Sequence, residues 1–377
     1  MPEVASDAVW MRKALALLTP AACYAPDPNP SVACLIVRDG QVLGAGVTQQ
    51  AGGAHAEIMA LREAAAVERD VSGATVYVSL EPCCHYGRTA PCVEALVAAE
   101  PARVVVAMRD PNPKVAGGGV ARLRAAGIEV QTGCETEAAL AFNPGFVARM
   151  TRGTPWVWLK MAGSLDGRTA LPSGESQWIT GNEARADGHH LRALSSVVLT
   201  GMGTLRRDDP QLTVRAVETS RPPVRALIDN RYELPENARL LDGDPVWVFT
   251  CRSDPAKAER LARRGVETFV LPDDGLGRVN LPDLMQWLGA REVNSVHVEA
   301  GARLNGALLA AGCVDELFYY QAPLLLGDGP GLAALPELHG LAEATRYELV
   351  DARPVGGDCR LQLRRPERWR AMCEAVA

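Results

Sequence analysis

The chain has 377 residues, 47% of them apolar and 22% charged, and a net charge of −6. That length suits two domains and that composition a soluble globular protein; the acidic balance argues against a nucleic-acid partner, which a basic stripe would mark. No apolar run is long enough to span a membrane and the first residues lack a secretory signal, so no membrane partner and a cytoplasmic location are expected.

In chain order, residues 6 to 18 carry Val9, Trp10, Ala14, Leu17 and Leu18 at helical spacing behind a Ser6 or Asp7 cap. Pro26-Asp27-Pro28-Asn29-Pro30 enforces a loop. A strand over 32–37, a turn at Asp39-Gly40 and a returning strand over 41–47 form a hairpin. Gly52-Gly53 precedes His55, and a helix is expected over 56–67 with Ile58, Leu61 and Ala65 on its apolar stripe. A strand over 74–80 leads into Glu81-Pro82-Cys83-Cys84. A helix over 93–99, a strand over 103–108, the loop Asp110-Pro111-Asn112-Pro113, a helix over 120–126 and a strand over 128–132 follow. This alternation predicts a mixed sheet flanked by helices.

A helix over 135–150 leads to the clearest boundary, Thr151-Arg152-Gly153-Thr154-Pro155, which divides the chain into domains 1–150 and 151–377. Beyond it a second α/β unit is expected, with strands at 156–161, 197–200, 224–229, 246–250, 267–271, 295–299 and 316–320. Its helices fall at 182–194, 255–264, 282–289 and 302–311.

Ten cysteines in a cytoplasmic chain do not read as a disulfide framework. Cys34, in an apolar run, and Cys313, after Gly312, read as small buried hydrophobes. The cluster at 83, 84 and 92 is different. His55-Ala56-Glu57 followed by Pro-Cys pairs is the order of residues in a zinc deaminase, H-x-E and then P-C-x-x-C. Catalytic zinc takes three protein ligands and keeps a position open, and His55 with two thiolates would supply that set. Glu57, beside the metal but not on it, is placed to move a proton. Cys83 and Cys84 are adjacent and point different ways, so they should not both ligate. Cys92, at a helix start that favours a thiolate, is the better third ligand. The signature is imperfect, because eight residues separate Cys83 from Cys92 where two are usual.

The run from Pro82 to Cys92, with His55-Ala56-Glu57, Asn29-Pro30-Ser31-Val32 and Asp110 to Gly117, resembles the bifunctional deaminase–reductase family of riboflavin biosynthesis, which has the long insert between its two cysteines. The resemblance implies a cytidine-deaminase-like N-terminal domain with Zn2+ held by His55, Cys83 and Cys92 and with Glu57 as proton shuttle. It places Asn29, His85 and Arg88 at the pyrimidine and its phosphoribosyl arm. Cys84 and Ala33 depart from the family, which usually has Ser and Gly there.

In the second half no G-x-G-x-x-G follows a first strand, so a standard dinucleotide fold is not indicated. Gly201-Met202-Gly203-Thr204 and Glu299-Ala300-Gly301 instead follow strands, where backbone N–H groups and helix N-termini can approach phosphate. Trp158-Leu159-Lys160, Ser164 to Arg168, Ser173 to Thr180 and Asp208 to Arg215 resemble the reductase half of the same family. That half has a dihydrofolate-reductase-like α/β fold and uses NADPH. The match places Ala162, Trp178, Thr204, Asp208 and Gly301 at the cofactor, and Ser176, Arg192, Leu212, Arg215 and Glu299 at the substrate. Lys160, one of only four lysines, joins the substrate residues as a cation that can orient the reacting sugar.

The implied function is hydrolytic, zinc-dependent deamination of 2,5-diamino-6-(5-phosphoribosylamino)pyrimidin-4-one, a small phosphorylated pyrimidine, followed by NADPH-dependent reduction of its ribosyl group to ribityl. The family also implies a homo-oligomer. Two other readings are open: a nucleoside or nucleic-acid deaminase fused to an unrelated domain, and a structural zinc domain whose fourth ligand is Cys84 or His85.

Overall fold

The computed structural model describes residues 6–86, 90–243 and 245–377. The chain divides into two compact units, one of residues up to Arg152 together with Arg370–Ala377, the other Gly153–Trp369.

The first unit contains α1 (Asp7–Leu15), α2 (Pro20–Tyr24), β1 (Ala33–Arg38), β2 (Gln41–Val47), α3 (Ala56–Ala66), β3 (Thr75–Leu80), α4 (Cys92–Ala98), β4 (Arg103–Met108), α5 (Gly118–Ala125), β5 (Glu129–Thr132), α6 (Thr136–Leu140) and α7 (Pro144–Arg152). Its five-stranded sheet runs β2-β1-β3-β4-β5. β1 pairs antiparallel with β2 and β3, while β3, β4 and β5 are parallel. Strands with helices on both faces have no polar side, which is why Val104 to Met108 is one unbroken buried run. The hairpin turns through positive φ at Asp39 and Gly40, as a tight two-residue turn requires.

The long helix expected over 135–150 is two helices. Pro144 has no amide hydrogen to continue α6, and Asn143 spends its side chain elsewhere. Its Oδ1 accepts the Ser31 amide at 2.7 Å and its Nδ2 donates to the Ser31 carbonyl at 2.8 Å, fixing the loop that carries Asn29.

Two glycines let α3 lie against β2. A Cβ at Gly44 would stand 2.2 Å from the Ala60 carbonyl oxygen, and one at Gly46 2.4 Å from that of Ala56. Any side chain there must push away the helix whose first turn carries Glu57. Gly46→Val should therefore lower deamination more than tenfold and weaken metal retention, with reduction unchanged; zinc content and ammonia release measured together check this.

The second unit contains β6 (Trp156–Ser164), α8 (Asn182–Leu194), β7 (Val197–Gly201), α9 (Met202–Asp208), β8 (Val224–Ile228), β9 (Val246–Thr250), α10 (Pro255–Ala262), β10 (Val266–Val270), α11 (Leu281–Ala290), β11 (Ser295–Glu299), α12 (Ala302–Ala310), β12 (Glu316–Ala322), β13 (Glu348–Val355) and β14 (Asp358–Arg364). A last helix, α13 (Pro366–Val376), closes the chain. Its nine strands run β10-β9-β8-β7-β11-β6-β12-β14-β13, parallel as far as β12 and antiparallel through the closing hairpin. That hairpin and α13 have no counterpart in the expected elements.

Alternation divides the central strands cleanly. Val157, Leu159 and Met161 of β6 join Val296 and Val298 of β11 in one apolar core. Trp158, Lys160 and Ala162 therefore share the opposite face with His297 and Glu299. The parallel register sets His297 beside Trp158 and Glu299 beside Lys160. Because β11 lies between β6 and β7, the chain leaves neighbouring strand ends in different directions, the arrangement that opens a crevice at the carboxyl edge of an α/β sheet. Among the described residues, no helix is long and apolar enough to cross a membrane.

Candidate active sites

In the first unit His55 is the residue before α3, in extended conformation, and Cys92 is the first residue of α4. Cys83 lies just past β3. His55 Nδ1 stands 3.2 Å from Cys92 Sγ and 3.5 Å from Cys83 Sγ, and the three ligand atoms lie within 4.8 Å of one another. Zn–N near 2.0 Å and Zn–S near 2.3 Å in a tetrahedron put nitrogen and sulfur about 3.5 Å apart, so this donor set fits zinc. The Cys92 amide donates to Cys83 Sγ at 3.3 Å, so the start of α4 helps hold a thiolate. Hydrogen bonding from Cys92, and to a lesser extent from His55, brings the Cys83 thiol well below its usual range, while the bond to Cys83, with burial, drives that of Cys92 upward. The two sulfurs thus compete for one proton, the position a dication would take.

Cys84 is outside this group. Its Sγ is directed at the Lys114 carbonyl, 3.9 Å away, and packs where a Cβ on Gly118 would come within 2.9 Å. Burial, the largest influence, raises its thiol above the usual range.

Glu57, in the first turn of α3, is only 4% exposed. Burial pushes its carboxyl up to about 7. A carboxyl poised near neutrality can both take and return a proton, which is what deamination asks of it.

Glu81 organises the neighbouring loop, a role the sequence did not suggest. Its carboxylate accepts the amides of Asp110 (3.2 Å), Gly117 (3.0 Å) and Val120 (3.0 Å), anchoring the second Pro-rich loop beside Cys83 and Cys84. Asn29 is half-buried in the loop before β1. His85 has a buried Nδ1 with no hydrogen-bond partner among the described residues, a polar atom that wants one. Arg88 lies outside the described residues.

In the second unit Arg192 of α8 grips Glu299 of β11 with two parallel bonds, Nε to Oε1 at 2.5 Å and Nη2 to Oε2 at 2.8 Å. Arg192 Nη1 also donates to the Thr213 carbonyl, and Arg215 Nη1 to the Thr213 hydroxyl, both at 2.8 Å. Lys160 stands across from Glu299 with its ammonium 5.4 Å from the Tyr320 ring centroid; burial, more than any neighbour, lowers its pKa. Arg192, Arg215, Lys160 and Glu299 therefore converge, with the Arg215 side chain open to solvent.

The Arg192 charge and its hydrogen bonds hold the Glu299 carboxyl well below the usual carboxylate range, against the burial that would raise it. A depressed folded-state pKa adds stability that is complete above the unfolded value and lost as pH falls through the folded one. Glu299→Gln should accordingly destabilise the second unit by a constant amount from pH 8 to pH 5 and by progressively less below that. Urea unfolding monitored across this range checks it.

Leu212 has φ +57 and a buried side chain packed in the core. Trp178 is 68% exposed, with the Arg185 guanidinium 4.3 Å from its ring. Ser176 is half-buried in the same segment between β6 and α8. Thr204 and Asp208 are on α9, Gly301 immediately precedes α12, and Ala162 is near the end of β6. Among the described residues, none of these makes a side-chain hydrogen bond or ion pair with Arg192 or Glu299. However, α9 and α12 both start at carboxyl ends of adjacent strands, and a Cβ on Gly201 would meet the Leu304 side chain at 3.1 Å. Two helix N-termini thus share one edge of the sheet, where phosphate is favoured.

Sequence reasoning passed over His189 and His297. His189 Nδ1 accepts the Arg215 amide at 3.2 Å, and burial with the Arg192 and Arg215 charges lowers its pKa to about 4. The available clue to His297 was its place two residues before Glu299 on one strand.

Three metal-ligand atoms beside a buried carboxyl form the donor set of a zinc deaminase, and the carboxyl edge of the second sheet, with its helix N-termini, suits an anionic ligand. Residues 5–108 match the cytidine and deoxycytidylate deaminase zinc-binding region, and residues 155–361 match the RibD C-terminal domain. The chain is 44% identical over 371 residues to riboflavin biosynthesis protein RibD of Escherichia coli K12, covering 95% of this chain and 99% of that protein. It is 42% identical over 369 residues to RibD of Haemophilus influenzae, covering 94% and 96%. The structure of Acinetobacter baumannii RibD, form 1, superposes with a TM-score of 0.86 at 42% identity, covering 95% of this chain and 98% of that one. The deaminase/reductase of Thermotoga maritima superposes at 0.84 and 31% identity with the same coverage. The chain belongs to the RibD family of bifunctional riboflavin-biosynthesis deaminase–reductases.

Proposed function

We propose that the first unit removes the 2-amino group of 2,5-diamino-6-(5-phosphoribosylamino)pyrimidin-4-one and that the second then reduces the ribosyl group to ribityl. The observation that carries the first step is the set His55, Cys83 and Cys92 with Glu57 buried beside it. Zinc bound there supplies Lewis acidity that draws the pKa of water toward neutrality. Glu57 takes the proton of the attacking water and returns it to the departing amine. Asn29, His85 and Arg88 hold the pyrimidine and its phosphoribosyl arm.

In the second step NADPH, when bound, supplies the reducing equivalents. Trp178, Ala162, Thr204, Asp208 and Gly301 hold it along the carboxyl edge. Arg192 and Arg215 hold the substrate phosphate, Arg215 by its exposed fork, while they steady Thr213 at its carbonyl and its hydroxyl respectively. Lys160 and Glu299 orient the sugar, with Ser176 and the Leu212 backbone completing its site. Family membership favours a cytoplasmic homo-oligomer, and the net charge of −6 speaks against nucleic-acid binding.

X-ray absorption of the zinc-loaded protein tests the metal assignment. One nitrogen, two sulfurs and one light atom are expected; a third sulfur, from Cys84, or a second imidazole, from His85, would indicate a closed structural site instead.

A further inference from the structure

The second unit buries a histidine that the proposed chemistry does not use. His297 is wholly inaccessible, on the same face of β11 as Glu299. An imidazole sunk in a sheet is costly unless both nitrogens are bonded, and here both are. The Trp158 indole N–H, a donor only, gives its hydrogen to His297 Nδ1 at 2.5 Å. That bond fixes the tautomer, so the proton of the neutral ring is on Nε2. Nε2 lies 3.0 Å from Glu299 Oε1, the oxygen that also receives Arg192 Nε. Glu299 is further tied at its backbone, whose carbonyl accepts the Thr200 hydroxyl at 2.7 Å.

We propose that Trp158 and His297 form a positioning relay that sets the orientation of the Glu299 carboxylate for the sugar-bearing substrate of the reductase. The relay rests on the reading of Glu299 as a substrate residue. The Arg192 fork alone fixes the plane of the carboxylate but lets it rock about the shared axis with the flexible arginine. A third donor on Oε1, from a ring immobilised within the sheet, removes that freedom. Lys160 stands beside the carboxylate so held, on the neighbouring strand. Because the indole is never an acceptor, the opposite tautomer would set two N–H groups against each other. Trp158 therefore does more than fill space: it decides which nitrogen of His297 can donate.

Steady-state reduction of the deaminated intermediate by three variants tests this. Trp158→Phe with His297→Leu deletes the relay without leaving an unpaired indole N–H, and should raise the KM for the intermediate about tenfold or more, the usual weight of a hydrogen bond to a charged group. The KM for NADPH and ammonia release by the first unit should stay as in the parent. His297→Gln, whose amide can accept from Trp158 and donate to Glu299, should keep the KM within about twofold. Glu299→Gln is the reference. If it leaves reduction intact, the reading of Glu299 is wrong. If it impairs reduction while the double variant has the parent KM, the relay is wrong. An effect of His297→Gln as large as the deletion would also overturn it, because shape and not hydrogen bonding would then matter. Should the double variant not be recovered folded, His297→Leu alone takes its place, and a parental KM for the intermediate in that variant would overturn the relay.

Discussion

Glu57→Gln is expected to lower ammonia release by about 10²–10⁴-fold, the usual weight of a positioned acid–base group. The amide fits the same buried space at the start of α3 but cannot carry a proton from water to the leaving amine. Zinc content should stay at that of the parent, since Glu57 is not among the three ligand atoms that cluster within 4.8 Å. Reduction of the deaminated intermediate should be untouched. Parallel assays of ammonia, NADPH oxidation and metal content give the answer in one preparation. A loss of zinc would mean that Glu57 is a ligand, and a loss of both activities would mean that the two chemistries do not occupy separate sites.

Arg192→Met should have the complementary effect, lowering kcat/KM for reduction of the deaminated intermediate by two to three decades while ammonia release persists. The arginine and Glu299 are 13% and 19% exposed at their side chains. Removing one partner of so enclosed a pair strands the other charge, a loss of about 3–5 kcal/mol. Arg192→Lys should recover little, because an ammonium cannot repeat the parallel bonds from Nε and Nη2 or the third bond to Thr213. Single-turnover reduction with NADPH in excess separates the effect on substrate from any effect on cofactor. A lysine variant near parental efficiency would show that charge alone suffices and that the fork geometry is dispensable.

Much of this site was legible because its residues sit where strands end and helices begin. His55 after Gly52-Gly53 and Cys92 after Pro91 occupy junctions that punctuation residues announce, and Glu299 ends a strand whose apolar pattern is plain. What escaped detection depends on contacts between distant residues. Asn143 breaks a helical pattern through bonds to Ser31, 112 positions away. The β13–β14 hairpin alternates poorly, with β13 mostly exposed, so that no apolar face advertises it; Gly356-Gly357 between the strands was the usable clue. The eight residues that cluster with the first unit after the whole second one, with Val376 accepting the Arg109 amide at 2.8 Å, have no local signal. The role of His297 depends on the register that sets Trp158 beside it, which no local pattern shows. Glu81 gave no local signal either, because its backbone donors Asp110, Gly117 and Val120 lie 29, 36 and 39 positions on.

The extended spacing between Cys83 and Cys92 has a structural meaning too. The first cysteine lies just past β3 and the second starts α4, so each ligand is fixed by its own regular element.

The most direct test supplies the Glu57→Gln protein with the diamino substrate and NADPH and follows absorbance at the nicotinamide band. No NADPH should be consumed until the deaminated intermediate is added, whereupon oxidation should proceed at the parental rate. Parental NADPH oxidation on the diamino substrate itself would contradict deamination before reduction and the division of the two steps between the two units.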